Sequence, residues 1–263
     1  MDFTRMKQLV VPEGTVKKVE IGGRTVWQKE TEEMNGPFTA AQSAAIRAGN
    51  FTNVPVDYAW TFRYVPYSYV NENNATVSDT YSGTMRVADC DYYLNTGDIP
   101  CTTHHVVVVP DANMYNAQMN SSNTTSGGYV GSKMRTVYLR RAEAIFKACF
   151  GESHVLKHRE FLVNTVSNNK EAAGAWYDSV VELMDERMVW GTASYANTSL
   201  PSVSNKQLTL FKNDSSRIAT ENLYWLRNVC NNAGFAIVDR DGSRSVDIAY
   251  NYFGEVRPVA LIY

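Results

Sequence analysis

The sequence predicts an α+β fold in which short antiparallel strands, two helices and long polar loops make up most of the chain. Three observations lead to this prediction. Segments rich in Tyr, Trp, Phe and Val recur along the chain, and these residue types favour strands. Only two stretches, residues 38–48 and 133–150, place apolar residues at helical spacing. Polar stretches such as residues 111–132 separate these segments, and ordered loops of that length are usually functional.

The pattern of residues 1–35 predicts a small β element and a linker. Residues 36–263 are predicted to form a separate, larger domain. Apolar residues alternate with polar ones on both sides of Gly22-Gly23, which predicts a β-hairpin with its turn at the two glycines. A polar stretch that ends in a Gly-Pro pair predicts the linker.

The larger domain opens with a predicted short helix from Phe38 to Ala48, with Thr39 as its N-cap and Gly49 as the residue that ends it. Strands are predicted from there to residue 110, interrupted by a polar loop over residues 71–83. The apolar run that ends this region predicts a strand buried on both faces.

A second helix is predicted after the long polar loop, with Ser132 as its cap and Gly151 at its end. Residues 154–167 predict a strand, alone or after a short helix, and the mixed pattern of residues 174–191 predicts no single element. From residue 224 onward, alternating strands and turns run to the end of the sequence.

Composition excludes several classes of protein. The 263 residues carry a formal net charge of −2 at pH 7, which argues against a nucleic-acid or membrane-surface binder driven by bulk charge. No stretch approaches the roughly 18 apolar residues of a membrane span, and the first residues lack a signal-peptide pattern. The four cysteines match no compact disulfide framework, which favours synthesis in a reducing compartment. The 16 tyrosines, accompanied by many Asn and Ser, are typical of binding surfaces.

Three segments carry a resemblance to a known family: GGYVGSKMR (127–135), YWLRNV (224–229) and EVRPVALI (255–262). Together they resemble the C-type-lectin-like domains found at the ends of phage tail proteins. The segment RVADCDYYLNTGDIPCTTHH is similar to the same proteins, so the likeness covers about residues 38–263. One position departs from the family's pattern, because Glu255 stands where the family usually has Gly, and we expect this to loosen the local turn.

The resemblance implies a C-type-lectin-like fold and a role in host attachment. It implies a protein of the virion tail, made in the host cytoplasm, that binds a bacterial cell-surface receptor, either a protein or a glycan. It also implies contacts with other phage tail proteins through residues 1–35, and a homo-oligomer for which a trimer is one arrangement. It implies no cofactor, no nucleic-acid partner and no membrane insertion.

A subclass of these domains displays hypervariable residues written by diversity-generating retroelements. Such elements mutate adenines, chiefly in AAY-type codons, which cannot become Lys, Glu, Gln, Met or Trp. Residues 222–252 contain no Lys, Glu, Gln or Met and a single Trp, and they are dense in Asn, Asp, Ser, Tyr and Arg. This composition is compatible with a diversified surface between fixed framework motifs. The alternative is a strand-loop-strand segment that lacks those residues by chance.

The segment 222–252 is therefore the predicted ligand-binding surface, since loops on a rigid scaffold commonly carry function. Its apolar residues predict core positions: Trp225, Leu226, Val229, Phe235, Ile237 and Val238. The predicted ligand-binding positions are Asn222, Tyr224, Asn228, Asn231, Asn232, Asp239, Arg240, Asp241, Ser243, Arg244, Asp247, Tyr250, Asn251 and Tyr252. The Tyr-rich region 58–82 is a further candidate region. The alternative is an ordinary hairpin turn at Asp241-Gly242 with solvated polar neighbours.

Two groups of residues resemble metal ligands only in part. One has alternating oxygen ligands: Asp239, Asp241, Ser243 and Ser245. Gly242 falls in the wrong place for an EF-hand, and no Glu stands at the twelfth position of the loop. No Glu-Pro-Asn or Gln-Pro-Asp triplet supports calcium-dependent sugar binding. The other group comprises Cys90, Cys101, His104 and His105. Their spacing is not that of a standard zinc site, and adjacent His residues point to opposite faces of a strand, so we expect no metal.

The sequence predicts a binding protein and not an enzyme, since no G-x-S-x-G, H-E-x-x-H, P-loop or G-x-G-x-x-G motif occurs. Four carboxylates lie at helical spacing: Asp178, Glu182, Asp185 and Glu186. A solvated helix face explains them more simply than a glycosidase pair. Nothing positions a Cys-His pair for nucleophilic catalysis. The alternatives are a tail-associated hydrolase of host surface polysaccharide and a purely structural tail subunit.

Overall fold

The computed structural model describes residues 18–21, 24–28, 37–203, 206–219 and 222–263. The chain divides into two units, Met1–Gly36 and Pro37–Tyr263. In the first unit, strands β1 (Lys18–Ile21) and β2 (Arg24–Gln28) pair antiparallel. The predicted Gly22-Gly23 turn and almost all of the predicted linker lie outside the described residues.

One five-stranded sheet of the second unit is antiparallel throughout. It comprises β3 (Ala59–Val70), β4 (Thr76–Cys90), β5 (Val106–Pro110), β9 (Val181–Leu183) and β14 (Pro258–Ile262). The strand order is β3-β4-β5-β14-β9, so β14 lies inside the sheet although it follows every other described strand in the chain. All residues of β5 are buried, which confirms the prediction from its apolar run.

A second five-stranded sheet carries most of the predicted ligand-binding segment. It comprises β6 (Tyr115–Asn116), β10 (Tyr224–Val229), β11 (Gly234–Val238), β12 (Arg244–Ile248) and β13 (Glu255–Val256). The strand order is β12-β11-β10-β13-β6, and β10 and β13 form its parallel pair. Strands β10 and β11 are buried along their whole length, which confirms the predicted core positions in this segment.

A separate hairpin is formed by β7 (His158–Ser167) and β8 (Lys170–Ser179). Its turn residues Asn168 and Asn169 have φ angles of 52° and 61°. Two-residue hairpin loops of type I′ require this left-handed backbone at both positions, and Asn adopts it more readily than most residues.

The first predicted helix is present as α1 (Ala40–Arg47). Thr39 Oγ1 accepts a hydrogen bond from Gln42 N (3.2 Å), and the Gln42 side chain accepts one from Thr39 N (3.0 Å). This reciprocal pair is a capping box and confirms the predicted N-cap. Gly49 has φ 70° just beyond the helix, as expected for a residue that ends one.

The second predicted helix begins with a π-helical turn, Met134–Tyr138, and continues as α2 (Leu139–Phe150) up to Gly151. Ser132 Oγ accepts a hydrogen bond from Arg135 N (3.2 Å), so it satisfies a backbone N–H at the start of the helix. A third helix, α3 (Glu186–Trp190), lies where the sequence predicts no single element. Its single turn is too short to show a helical period.

The predicted loop over residues 71–83 is wrong in its length. Only residues 71–75 form the turn, because β4 begins at Thr76 and pairs with Val70 of β3. Most side chains in the outer part of β4 are exposed, so Ser, Thr and Asp fit there without the apolar alternation that marks a half-buried strand. The β3–β4 hairpin is therefore longer than predicted.

Two clusters of buried apolar side chains draw on both five-stranded sheets. Trp60, Phe146 and Trp225 belong to the larger cluster, and Tyr93 and Phe211 to the smaller one. The described residues thus form a mixed α+β architecture of mostly strands, few helices and largely antiparallel sheets, which confirms the predicted class.

Candidate functional site

The predicted ligand-binding segment has two turns, one before and one after β12. The first lies between β11 and β12, where Gly242 N donates to Asp239 O (2.9 Å) and Gly242 has φ 81°. Arg240, Asp241 and Ser243 are exposed in this turn. The Asp241 carboxylate accepts from Ser243 N (2.9 Å). Hydrogen bonds with the Ser243 side chain and with this backbone N–H lower the pKa of the carboxyl group. The second turn, residues 249–254, follows β12.

Three aromatic side chains project from the second turn, and we call them the aromatic tip. Tyr250, Tyr252 and Phe253 are 47%, 57% and 61% exposed, and the rings of the last two lie 4.3 Å apart. Ile248 is exposed beside them. Large apolar side chains gathered in one exposed place are typical of surfaces that bind another molecule.

Asparagine side chains from distant parts of the chain hold the backbone of the aromatic tip. Asn123 Oδ1 accepts a hydrogen bond from Tyr250 N (3.1 Å). Asn116 Nδ2 and Asn222 Nδ2 both donate to Phe253 O, at 3.0 and 3.3 Å. Three side chains therefore hold the backbone of the tip, although its aromatic side chains are exposed to solvent.

Hydrogen bonds within the turn complete its support. Asn251 Oδ1 accepts from Phe253 N (2.9 Å), and Asn251 Nδ2 donates to the Asp247 carboxylate. Together with Asn222, these two predicted ligand-binding residues hold the turn that presents the aromatic side chains.

Two further predicted asparagines, Asn231 and Asn232, lie between β10 and β11. Asn231 Oδ1 accepts from Ala233 N (2.8 Å), and Asn231 O accepts from the Thr125 hydroxyl (2.8 Å). Asn232 is exposed. Of the pair, Asn231 shapes the turn and Asn232 is the one available to a ligand.

Two predicted ligand-binding residues, Tyr224 and Asn228, lie in the interior and not on the surface. Their exposed fractions are 1% and 6%. The Tyr224 hydroxyl donates to Arg217 O (2.9 Å), and Asn228 Oδ1 accepts from Glu186 N (2.8 Å). The cause is the position of β10 inside its sheet, where both faces of the strand are covered and polar groups must find internal partners.

Arg244 also turns towards the protein. Its guanidinium Nε lies 3.2 Å from the Glu186 carboxylate and its Nη2 donates to Thr192 O (2.8 Å). Nη1 contacts the Ser194 hydroxyl, and the guanidinium stacks over the Trp190 ring at 4.6 Å. Arg244 therefore ties β12 to the loop that follows α3.

Two buried carboxylates anchor that loop. Glu186 accepts hydrogen bonds from three consecutive backbone N–H groups, residues 194–196, at 2.9–3.2 Å. Glu171, at the start of β8, accepts from Asn197 N (2.9 Å) and from Val229 N (3.0 Å). Burial raises the pKa of Glu171. These backbone donors give the two buried carboxylates hydrogen-bond partners.

A buried ion pair joins β7 to β10. Arg227 Nη2 lies 2.9 Å from Glu160 and 3.6 Å from Asp185, and Glu160 is fully buried. The Tyr93 hydroxyl donates to Glu160 (2.7 Å), and His158 Nε2 lies 3.3 Å from the same oxygen. Burial alone would raise the pKa of Glu160, but the Arg227 charge and the contact with His158 hold it at about 2. Burial raises the pKa of Asp185.

The prediction of a solvated helix face for four carboxylates is wrong. They are spread over three elements, with Asp178 on β8, Glu182 on β9, and Asp185 and Glu186 at the start of α3. Only Asp178 is exposed. Glu182 accepts from the Tyr129 and Ser179 hydroxyls, each at 2.7 Å, and pairs with Arg135 at 3.0 Å. These contacts account for the burial of its charge.

The cavity beside the buried carboxylates is small. It measures about 30 Å³ and is lined in part by Glu171, Asp185 and Asn228. A space of this size holds about one water molecule. The carboxylates that line it are held by the protein contacts described above.

The cysteine and histidine residues singled out in the sequence are only partly brought together. Cys101 Sγ lies 4.0 Å from His105 Nδ1, whereas His104 Nδ1 contacts Asp91 at 2.6 Å. Burial raises the pKa of Cys90 to about 11. In the part of the chain that the structure describes, no group of three or more His, Cys, Asp or Glu is placed to hold a metal ion.

Comparison with known proteins gives no match: no family model, curated protein or solved structure is similar to this chain. Among the described residues, no helix is long and apolar enough to cross a membrane.

Proposed function

We propose that this chain is a receptor-binding protein of a phage tail, and that residues 36–263 form a C-type-lectin-like domain. In this proposal the aromatic tip contacts a bacterial cell-surface receptor, either a protein or a glycan, and no chemistry is performed. The protein belongs to the virion tail as a homo-oligomer, with a trimer as one arrangement. Residues 1–35 attach it to other tail proteins.

The positions of the three family-like segments support this proposal. Tyr129 and Arg135 of the first segment both contact Glu182 on β9. The second segment is the buried strand β10, and the third forms β13 and β14. Arg257 of the third segment is buried and donates to Pro110 O (3.0 Å). Segments that act as framework in this way leave the turns between them to carry the binding residues.

The departure at Glu255 is compatible with the proposal. Its carboxylate accepts a hydrogen bond from Asn113 Nδ2 (2.5 Å). The preceding Gly254 is the residue that has no room for a side chain, because a Cβ there would lie 2.2 Å from Trp225 Nε1. The close approach in this segment therefore depends on Gly254.

The observation that carries the proposal is an exposed aromatic cluster on a backbone that is already fixed. Most large apolar side chains on a protein surface occur singly, whereas here the Tyr252 and Phe253 rings lie 4.3 Å apart and Tyr250 is exposed in the same turn. Binding costs less when the contacting loop is ordered beforehand, and Tyr gives a large contact area for few rotatable bonds. Several weak sites on one virion would then add through avidity.

Removal of the aromatic tip is expected to abolish most binding to cells. Fluorescently labelled protein is added to a panel of bacterial isolates and staining is measured by flow cytometry as a function of concentration. We expect Y252S combined with F253S to weaken staining at least about tenfold, because central aromatic residues commonly contribute about 2 kcal/mol or more.

The matched control for this experiment is I99S. Ile99 lies between β4 and β5, is 66% exposed and belongs to neither the tip nor the region 58–82, so its removal should leave staining unchanged. Equal staining by the wild type and the tip variant would contradict the proposal. Release of sugar from purified host polysaccharide would favour a hydrolase. Stable binding to tail proteins with no staining of any isolate would favour a structural subunit.

If retroelements diversify this chain, burial predicts which positions vary. Deep sequencing of the gene and its flanks in the native population should show substitutions at the exposed positions: Asn232, Arg240, Asp241, Ser243, Tyr250 and Tyr252. Tyr224, Asn228 and Arg244 should stay constant because their internal partners cannot be replaced. A near-copy template and a reverse transcriptase gene should lie nearby. Substitutions spread evenly over buried and exposed positions would remove diversification from the proposal.

A further inference from the structure

A second candidate site lies on the β3–β4 hairpin, away from the segment 222–252. Tyr67 and Tyr69 are two residues apart on β3 and therefore point to the same face of the hairpin. Their partners across the strand pair, Asp79 and Val77, share that face. The two tyrosine rings are stacked, with centroids 6.1 Å apart and planes at 22°.

Helix α2 packs against this face but does not fill it. A groove of about 420 Å³ remains between the two tyrosines and the helix, where Ala144 and Ala148 supply only methyl groups. A smaller cavity of about 180 Å³ adjoins it, and Tyr67 lines both spaces. Tyr81 lines the smaller cavity. Small side chains opposite aromatic rings leave an open, partly apolar groove.

The polar groups at the junction of the two spaces are held in place. Arg141 Nε donates to the Tyr67 hydroxyl (2.9 Å), which in turn donates to Asp79 (3.1 Å). Arg141 Nη2 also contacts Asp79 at 3.0 Å, and the guanidinium lies over the Tyr115 ring at 4.8 Å. This arrangement presents a planar donor group and a carboxylate beside the aromatic pair, in which Tyr69 is partly exposed and Tyr67 is buried.

Most charged groups at the groove are paired. Arg141 is paired with Asp79, and Lys147 lies 2.8 Å from Glu143 and 3.1 Å from Glu152. Arg140 also lines the groove, but this residue is exposed to solvent, where screening weakens its attraction for an anion. The groove favours a ligand that is uncharged and has apolar faces as well as hydrogen-bonding groups at its edges.

We propose that this groove binds a neutral oligosaccharide. A sugar ring has C–H groups on its faces, which pack on the partly exposed Tyr69 ring, and hydroxyl groups at its edges, which bond to paired Arg and Asp side chains. Two adjoining spaces on one face match a ligand of more than one ring. The site is separate from the aromatic tip, so it provides a second contact with a host surface whatever the primary receptor is.

The test uses five neutral hexasaccharides: maltohexaose, cellohexaose, laminarihexaose, mannohexaose and chitohexaose. Each is titrated into ¹⁵N-labelled full-length protein and followed by two-dimensional NMR. At least one should shift the amide signals of residues 67–70 and 144–148. Raising NaCl to 0.5 M should leave its affinity unchanged, since no net charge is involved.

Two variants of the groove make the test specific. Y69A should weaken binding about tenfold, which corresponds to about 1.4 kcal/mol, whereas Y69F keeps the ring and should bind within about threefold of wild type. A148W fills the groove from an exposed position and should also abolish binding, so the test stands even if Y69A fails to fold. Y252S should bind the sugar as wild type does.

The proposal is overturned if none of the five sugars binds, if the shifts map outside the groove, or if A148W binds as tightly as wild type. Its failure is distinguishable from failure of the receptor-binding proposal. Loss of cell staining in the tip variant with intact sugar binding separates the two sites, and so does the converse result.

Discussion

Replacing Arg227 with methionine is expected to lower the free energy of unfolding by about 3–5 kcal/mol. The guanidinium is the positive charge nearest to two buried carboxylates, Glu160 at 2.9 Å and Asp185 at 3.6 Å. Methionine keeps most of the apolar volume, so the loss reports the uncompensated charges and not a cavity. Chemical denaturation at pH 7, followed by tryptophan fluorescence, measures the change.

The neighbouring Arg159 provides the control. It lies next to Glu160 on β7, but its partners Asp98 and Asp178 are on the surface, at 2.8 and 3.0 Å. R159M should therefore cost much less than R227M, because exposed ion pairs contribute little. A loss below about 1 kcal/mol in R227M would show that the buried pair is not what holds β7 to β10.

The pH dependence of R227M separates lost charge from lost packing. In the wild type, the pKa of Glu160 is lowered from 4.5 to about 2, so this group adds stability above pH 4.5 that disappears as the pH falls towards 2. Without Arg227, burial is the dominant effect and raises the pKa of Glu160. The stability gap between the two proteins should therefore be widest at neutral pH and narrow under acid. A gap that is constant with pH would indicate packing alone.

Replacing Glu186 with alanine is expected to lower the free energy of unfolding by at least about 3 kcal/mol. The carboxylate accepts hydrogen bonds from the backbone of residues 194–196 and pairs with Arg244. Glu186 itself is fully buried, and a hydrogen bond to a charged group contributes about 1.5–3 kcal/mol. The loop after α3 should open first, because this carboxylate is the acceptor for its backbone.

Hydrogen exchange with mass spectrometry locates the effect of E186A. Residues 194–196 should lose protection, and so should β12, which Arg244 ties to the loop. E152A is the control, since Glu152 is mostly exposed and its partner Lys147 also pairs with Glu143. Protection of residues 194–196 that stays at the wild-type level in E186A would contradict the anchoring role.

Local sequence patterns predict those helices and strands whose stabilising contacts lie close together in the sequence. Thr39 and Gln42 make their capping box within one turn, and the apolar run of β5 fixes a strand covered on both faces. Trp225 and Phe235 lie in strands whose apolar residues leave little choice of location. For these elements, the information that decides the structure lies within a few residues.

The buried charges could not be predicted because their partners are far apart in the sequence. Arg227 meets Glu160 across 67 residues, and Glu182 meets Arg135 across 47. A charged residue without a visible partner is most simply placed on the surface. The same reasoning placed Asn228 and Arg244 among the exposed ligand-binding residues. One signal was available for Asn228: the residues around it in β10 are apolar, so the whole strand is buried.

The aromatic tip was predicted only in part. Tyr250 and Tyr252 are among the predicted positions, whereas Phe253 lies one residue beyond the predicted ligand-binding segment 222–252. The supporting residues Asn116 and Asn123 come from the long polar loop, whose distance in sequence concealed their contact with residues 249–254. Contacts of this kind join residues that are distant in the sequence, so the folded structure is needed to identify them.

The position of β14 has a consequence for synthesis on the ribosome. Because β14 lies between β5 and β9, these two strands have no common neighbour until residues 258–262 have left the exit tunnel. Chain growth at about 5–20 residues per second leaves the preceding strands waiting for several seconds with unpaired edges. A nonsense or frameshift mutation in the segment 222–252 removes β14, so β5 and β9 would keep unpaired edges. Reading in frame through this segment is therefore a condition for closing the sheet.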